Sequence, residues 1–113
     1  MDYVATRHPG LSTRCRCEVR QDGVHARIVI TGEIDQANAD ELTGVMADTL
    51  RAHRPRRLHL NLDGVTFLGA AGVRALVEGR IAADREGCAV EIERASAIVE
   101  KVLAICGFGR MWT

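Results

Sequence analysis

Apolar residues along this chain recur with two different periods, and the changes of period divide it into strands and helices. From Arg14 to Arg20 polar and semi-apolar positions alternate, and Gln21-Asp22-Gly23 is a turn signal leading into Val24 to Thr31, whose Ile28-Val29-Ile30 centre is strongly β-forming. The pair predicts a hairpin. Asp35 follows Gly32-Glu33-Ile34 and is placed to cap a helix. In that helix Ala39, Leu42, Val45, Met46, Thr49 and Leu50 recur at spacings of three and four until Pro55 stops it. Leu58, Leu60 and Leu62 then alternate with His59, Asn61 and Asp63, a short strand pointing at a glycine-alanine turn. Beyond Gly72 the helical period returns in Val73, Leu76, Val77 and Ile81 and closes at Arg85-Glu86-Gly87. Ala89 to Glu93 reads as another strand. Ser96 caps a last helix in which Ile98, Val99, Val102, Leu103 and Ile105 are expected to face inward, ending at Gly107.

The predicted order is ββαβαβα, an α/β domain with a central mixed sheet of about four strands and three helices. Residues 1–12 hold Pro9 and Gly10 and lack periodicity, so a loose leader is expected there, with one domain over residues 13–113. In such sheets ligands and partners favour the carboxyl ends of the strands, where the turns at Asp35 and Gly69 both fall.

Val65 to Leu76 ends a strand, turns on Gly69, Ala70, Ala71 and Gly72, and starts a helix with no side-chain nucleophile at the turn. Small residues there allow close backbone approach and leave the first helical amides without a side-chain cap. Two uses are open: close packing of helix on sheet, or reception of an anion or a neighbouring chain. Arg74 is the only positive side chain adjacent in sequence.

Composition removes several classes of function. The 113 residues are 47% hydrophobic and 27% charged, and fifteen basic side chains balance fifteen acidic ones, so no net field favours nucleic acid or anionic membrane. No apolar run nears the roughly 18 residues of a membrane span, and the first residues lack a secretory core, so a cytoplasmic location is expected. There is no phosphate loop, dinucleotide fingerprint or Ser-His-Asp set, and neither catalysis nor a cofactor is expected. Cys15 and Cys17 share one face of a strand with His25 as a conceivable neighbour across the hairpin, but nothing completes a metal site. Cys88 starts a strand and Cys106 ends the helix running back beside it, which makes them the candidate redox pair.

Taken in order, Ile28 to Asp35, the strand-turn-helix from Leu58 to Leu76, Glu86-Gly87 before a strand, and Ser96 to Phe108 resemble a STAS domain, the fold of bacterial anti-sigma factor antagonists and of sulfate-transporter tails. The likeness spans about residues 14 to 110. In that family the turn typically reads Asp-Ser-Ser-Gly or Asp-Ser-Thr-Gly, and a kinase that is also the anti-sigma factor phosphorylates its first serine. The resemblance puts Ala70 at the serine position and Gly69 at the aspartate, while Asn61 stands for another frequent aspartate. It implies a module for transcription regulation that binds an anti-sigma factor or kinase-like protein through Asp35, Gly69, Ala70, Ala71, Gly72 and Arg74, with no phosphorylation at the usual place. Thr31 and Thr66 are the candidate substitute hydroxyls. The alternative function is a small-ligand sensor, taking a nucleotide or anion at the helix start of Gly69 to Gly72. Family members often carry a further helix after the third, so Met111 and Trp112 are expected to fold over that face or dock a second copy as a homodimer.

Overall fold

The computed structural model describes residues 4–7 and 15–108. All the predicted elements are present in the predicted order, preceded by one more strand. They are β1 (Val4–Arg7), β2 (Cys15–Asp22), β3 (His25–Ile34), α1 (Ala39–His53), β4 (Arg57–Leu68), α2 (Ala70–Arg85), β5 (Ala89–Ala95) and α3 (Ala97–Ile105). The expected four-strand mixed sheet is present, and the added edge strand makes it five-stranded, in the order β1-β2-β3-β4-β5. Part of the expected loose leader is this edge strand: Val4–Arg7 pairs antiparallel with Glu18–Gln21 of β2. A four-residue strand carries too little pattern to be read from sequence, and the backbone of β2 decides it. Met111 and Trp112 lie outside the described residues.

β2 and β3 form the predicted antiparallel hairpin, while β3-β4 and β4-β5 are parallel and joined through helices. Inward positions of the strands, Cys17, Val19, Ile28, Ile30, Leu58, Leu60 and Leu62, join Leu42, Val45 and Met46 of α1, Val73 and Leu76 of α2, and Val99 and Leu103 of α3 in one buried cluster. Each of the large aliphatics buried there contributes about 1.5–3 kcal/mol of transfer free energy. The alternate strand positions, among them Arg16, Arg27, His59 and Glu91, face the other way and are exposed or half-buried.

β4 is longer than the short strand expected, because it continues past Leu62 by slipping twice against β3. Asn61 pairs with Val29 and Gly64 with Thr31; then Val65 pairs with Gly32 and Phe67 with Glu33. Each slip inserts an extra β4 residue. The inward residues therefore run Leu62, Val65, Leu68 at spacings of three, and Phe67 is turned out, 47% exposed. Two helical positions also depart from expectation. Ile81 is 45% and Ile105 75% exposed, because α2 rests on its small face, Gly72, Ala75, Gly79 and Ala83, and α3 presents only Val99 and Leu103 fully to the core.

Candidate functional site

Ile34 and Leu68 are the last paired residues of β3 and β4. The Gly69 amide donates to the Ile34 carbonyl at 2.9 Å, so the turn into α2 leaves the sheet beside the loop that begins at Asp35. The structure thus brings the two sequence-predicted turns to one edge.

Asp35 is not the helix cap. α1 starts four residues later, with Asn38 at the N-cap position, and the Asp35 side chain instead accepts from the Ala37 amide at 3.0 Å, a local Asx turn. Its carbonyl accepts from the amides of Asn38 at 3.2 Å and Ala39 at 3.0 Å. Asn38, only 1% exposed, holds the loop from within: its Oδ1 accepts from the Asp35 amide at 2.9 Å and its Nδ2 donates to the Glu33 carbonyl at 2.9 Å. Sequence reasoning missed Asn38, although an asparagine just before the apolar stripe is a helix-start signal.

On the other side of the edge, Gly69 is the N-cap of α2 with extended backbone and no side-chain cap, and the first turn holds no acidic residue. Ala70 is exposed, Gly69 and Ala71 are half-buried, and Arg74 is exposed one turn on. Gly72 departs from the predicted contact set because it faces the core. A Cβ there would lie 2.7 Å from Leu68 Cδ1 and 2.8 Å from Ile34 Cγ2, so this glycine serves the close packing of helix on sheet. Phe67 is the edge residue that the sequence pattern did not reveal. Its ring lies against Gly69, where a Cβ would meet Phe67 Cε2 at 3.4 Å.

Between α1 and α2, next to this edge, runs an open groove of about 570 Å³ lined by Gln36, Asp40, Thr43, Ala71, Arg74 and Glu78, among others. Its two carboxylates outnumber its one guanidinium, which opposes rather than favours capture of an anion. The negative character extends inward: the Cys15 thiol is raised above its ordinary value first by burial and then by the Asp35 and Glu41 carboxylates.

The remaining candidates lie elsewhere. Cys15 and Cys17 are buried on the core face, whereas His25 is exposed, so the hairpin does not bring that histidine to the pair. Among the described residues no group of three or more His, Cys, Asp or Glu side chains could hold a metal ion. Cys88 is buried and Cys106 exposed, both as free thiols, and the Cys88 Sγ lies 3.7 Å from the Ala89 carbonyl. Thr31 and Thr66 are exposed on β3 and β4. No described helix is long and apolar enough to cross a membrane.

A family profile described as "Mlab, STAS domain" matches residues 17–113. No curated protein matches the sequence. Among solved structures the fold is similar to an anti-sigma factor antagonist from Mycobacterium paratuberculosis, with a TM-score of 0.77 at 18% identity, over 90% of this chain and 86% of that one. It is also similar to SpoIIAA from Bacillus in the phosphorylated form, with a TM-score of 0.67 at 13% identity, over 86% of this chain and 88% of that one. A STAS domain of an anti-sigma factor antagonist from Rhodobacter sphaeroides superposes with a TM-score of 0.55 at 20% identity, over 85% and 94% of the two chains.

Proposed function

Since the chain belongs to the STAS domain family, we propose that it is a non-catalytic regulatory module, cytoplasmic in location, that docks a kinase-type anti-sigma factor or a related signalling protein at the edge formed by Asp35, Gly69, Ala70, Ala71 and Arg74. The observation that carries this reading is Ala70: an exposed methyl at the first position of α2, beside the Asp35 loop and on the edge where the strands end. In this reading Ala70 takes the place of the phospho-accepting serine, and a methyl group accepts no phosphoryl group. A phosphate would add about −1.5 to −2 charges to such an edge and repel a partner docked there. Without one, the edge keeps a constant charge and recognises its partner by contour and by the fixed charges of Asp35 and Arg74.

The experiment is to incubate the full chain with the kinase-type anti-sigma factors of its own genome and ATP, then to measure complex formation and map phosphate by mass spectrometry. A stable complex with no phosphate in residues 66–74 is the expected result. Arg74→Glu and Asp35→Asn, which keeps the acceptor of the Asx turn, should each weaken the complex by about tenfold while leaving the melting temperature unchanged. Phosphate in that segment, or a complex indifferent to both variants, would overturn the reading.

A further inference from the structure

The sheet face opposite the helices carries a line of polar side chains on three adjacent strands: His25 on β3, His59 on β4 and Glu91 on β5. Glu91 is the register partner of His59, and His25 lies diagonally across from it. His59 Nδ1 is 2.8 Å from Glu91 Oε1, and His59 Nε2 is 2.9 Å from His25 Nδ1. An ionised carboxylate only accepts, so His59 Nδ1 carries a hydrogen; with both rings neutral, His59 Nε2 then presents a lone pair and His25 Nδ1 is the donor. The partners thereby set both tautomers.

The two ring planes are 15° apart and the ring centres 5.2 Å apart. That separation exceeds the nitrogen-nitrogen distance by the full length of two ring radii, so the rings meet head to head and nearly coplanar instead of lying face to face. A metal between collinear lone pairs would need about twice the ~2.0–2.1 Å of a zinc-nitrogen bond. The 2.9 Å gap admits a proton only.

We infer that Glu91, His59 and His25 form an interstrand clasp that survives one added proton and opens on the second, making the sheet face opposite the helices acid-responsive. A first proton enters at His25 Nε2, on the far side of the ring, and leaves the Nδ1–H···Nε2 bond in place as a charge-assisted one. The second must enter at His59 Nε2, which sets two N–H donors and two positive rings against each other. The clasp then opens, His59 stays with Glu91, His25 is released, and the face gains two positive charges.

The other described charges around the pair are Arg20 and Asp22 from β2, Arg27 from β3, Arg57 from β4 and Glu93 from β5. Arg20 is paired with Glu18 at 2.5 Å, Arg27 is paired with Glu93, and Arg57 lies 3.7 Å from Glu91. Glu91 itself is the carboxylate in direct contact with the His59 ring.

The test follows the histidine ring nitrogens of the full chain by NMR from about pH 8 to about pH 5, across the ordinary histidine range near ~6.5. The expected result is both His25 and His59 as Nδ1–H tautomers at the alkaline end, and two coupled proton uptakes on acidification. In His25→Ala, His59 should take up its proton in a single step. An Nε2–H tautomer at His59 in the unaltered chain, or a His59 titration unchanged by His25→Ala, would overturn the inference.

Discussion

The Gly69 amide donates to the Ile34 carbonyl at 2.9 Å, and that bond fastens the start of α2 to the end of β3. It draws the two elements so close that the helix can begin only on small residues. Gly72 is the tightest point: an added Cβ would press on Ile34 Cγ2, which belongs to a β-branched side chain with little rotamer freedom.

Gly72→Ala should therefore destabilise the domain by about 1–3 kcal/mol, the usual cost of overpacking, even though alanine is the better helix former. Gly79→Ala, in the same helix, meets only the flexible Sδ-Cε end of Met46 at close range. Met46 can change rotamer and the propensity gain offsets the crowding, so this variant should stay within about 1 kcal/mol of the native chain. Urea unfolding of the two variants side by side measures the contrast.

Asn38 holds the Asp35 loop by bonds to two backbone groups while being almost fully buried. Asn38→Ala leaves the Asp35 amide and the Glu33 carbonyl without these partners, and about 2–3 kcal/mol of stability should be lost. If the proposed docking edge is used, partner affinity should fall as well, since the loop that presents Asp35 loses its inner support. Thermal melts and binding measured on the same preparation separate the two effects.

Ser96 caps α3 in the way its sequence context predicts: its Oγ accepts from the Val99 amide at 3.4 Å and donates to the Val65 carbonyl at 2.7 Å. The second bond ties the helix start to β4. Ser96→Ala should cost about 1–2 kcal/mol, read as a shift of the urea midpoint with unchanged slope. An unchanged midpoint would show that neither bond contributes to stability.

Burial pushes the Cys17 thiol up to about 12, with neighbouring Cys15 and Glu18 adding to the shift; Cys15 and Cys88 are also raised, chiefly by burial. Each is held as the neutral thiol in the folded state, so the contribution to stability is complete below the unfolded thiol range, about 8.5, and is lost as pH rises through the folded value. Alkylation of the native protein at mildly alkaline pH should mark the exposed Cys106 first. The other three should react only on unfolding, as mass spectrometry of timed samples would show.

Much of the architecture was legible because local periodicity and caps speak for themselves. The Ile28-Val29-Ile30 strand, the α1 stripe through Leu50 and the Ser96 cap each follow from side chains close in sequence. Where a distant backbone decides, the pattern misleads. The double slip of β4 against β3 turned Val65 inward against strict alternation, and the small face of α2 left Ile81 exposed. The candidate edge was half legible. Its two turns were visible, but Asp35 was read as a cap and Gly72 as a contact, since burial at those points depends on Asn38, Ile34 and Leu68.

By itself the sequence determined the order of strands and helices, the absence of a side-chain nucleophile between Gly69 and Gly72, and the family to which the chain belongs, because these are properties of neighbours along the chain. Only the tertiary structure decided that the Asp35 loop and the Ala70 turn share one edge, and that His25, His59 and Glu91 line up on the sheet face opposite the helices. The physical reason is the parallel pairing of β3, β4 and β5, which sets residues more than thirty positions apart side by side at hydrogen-bonding distance.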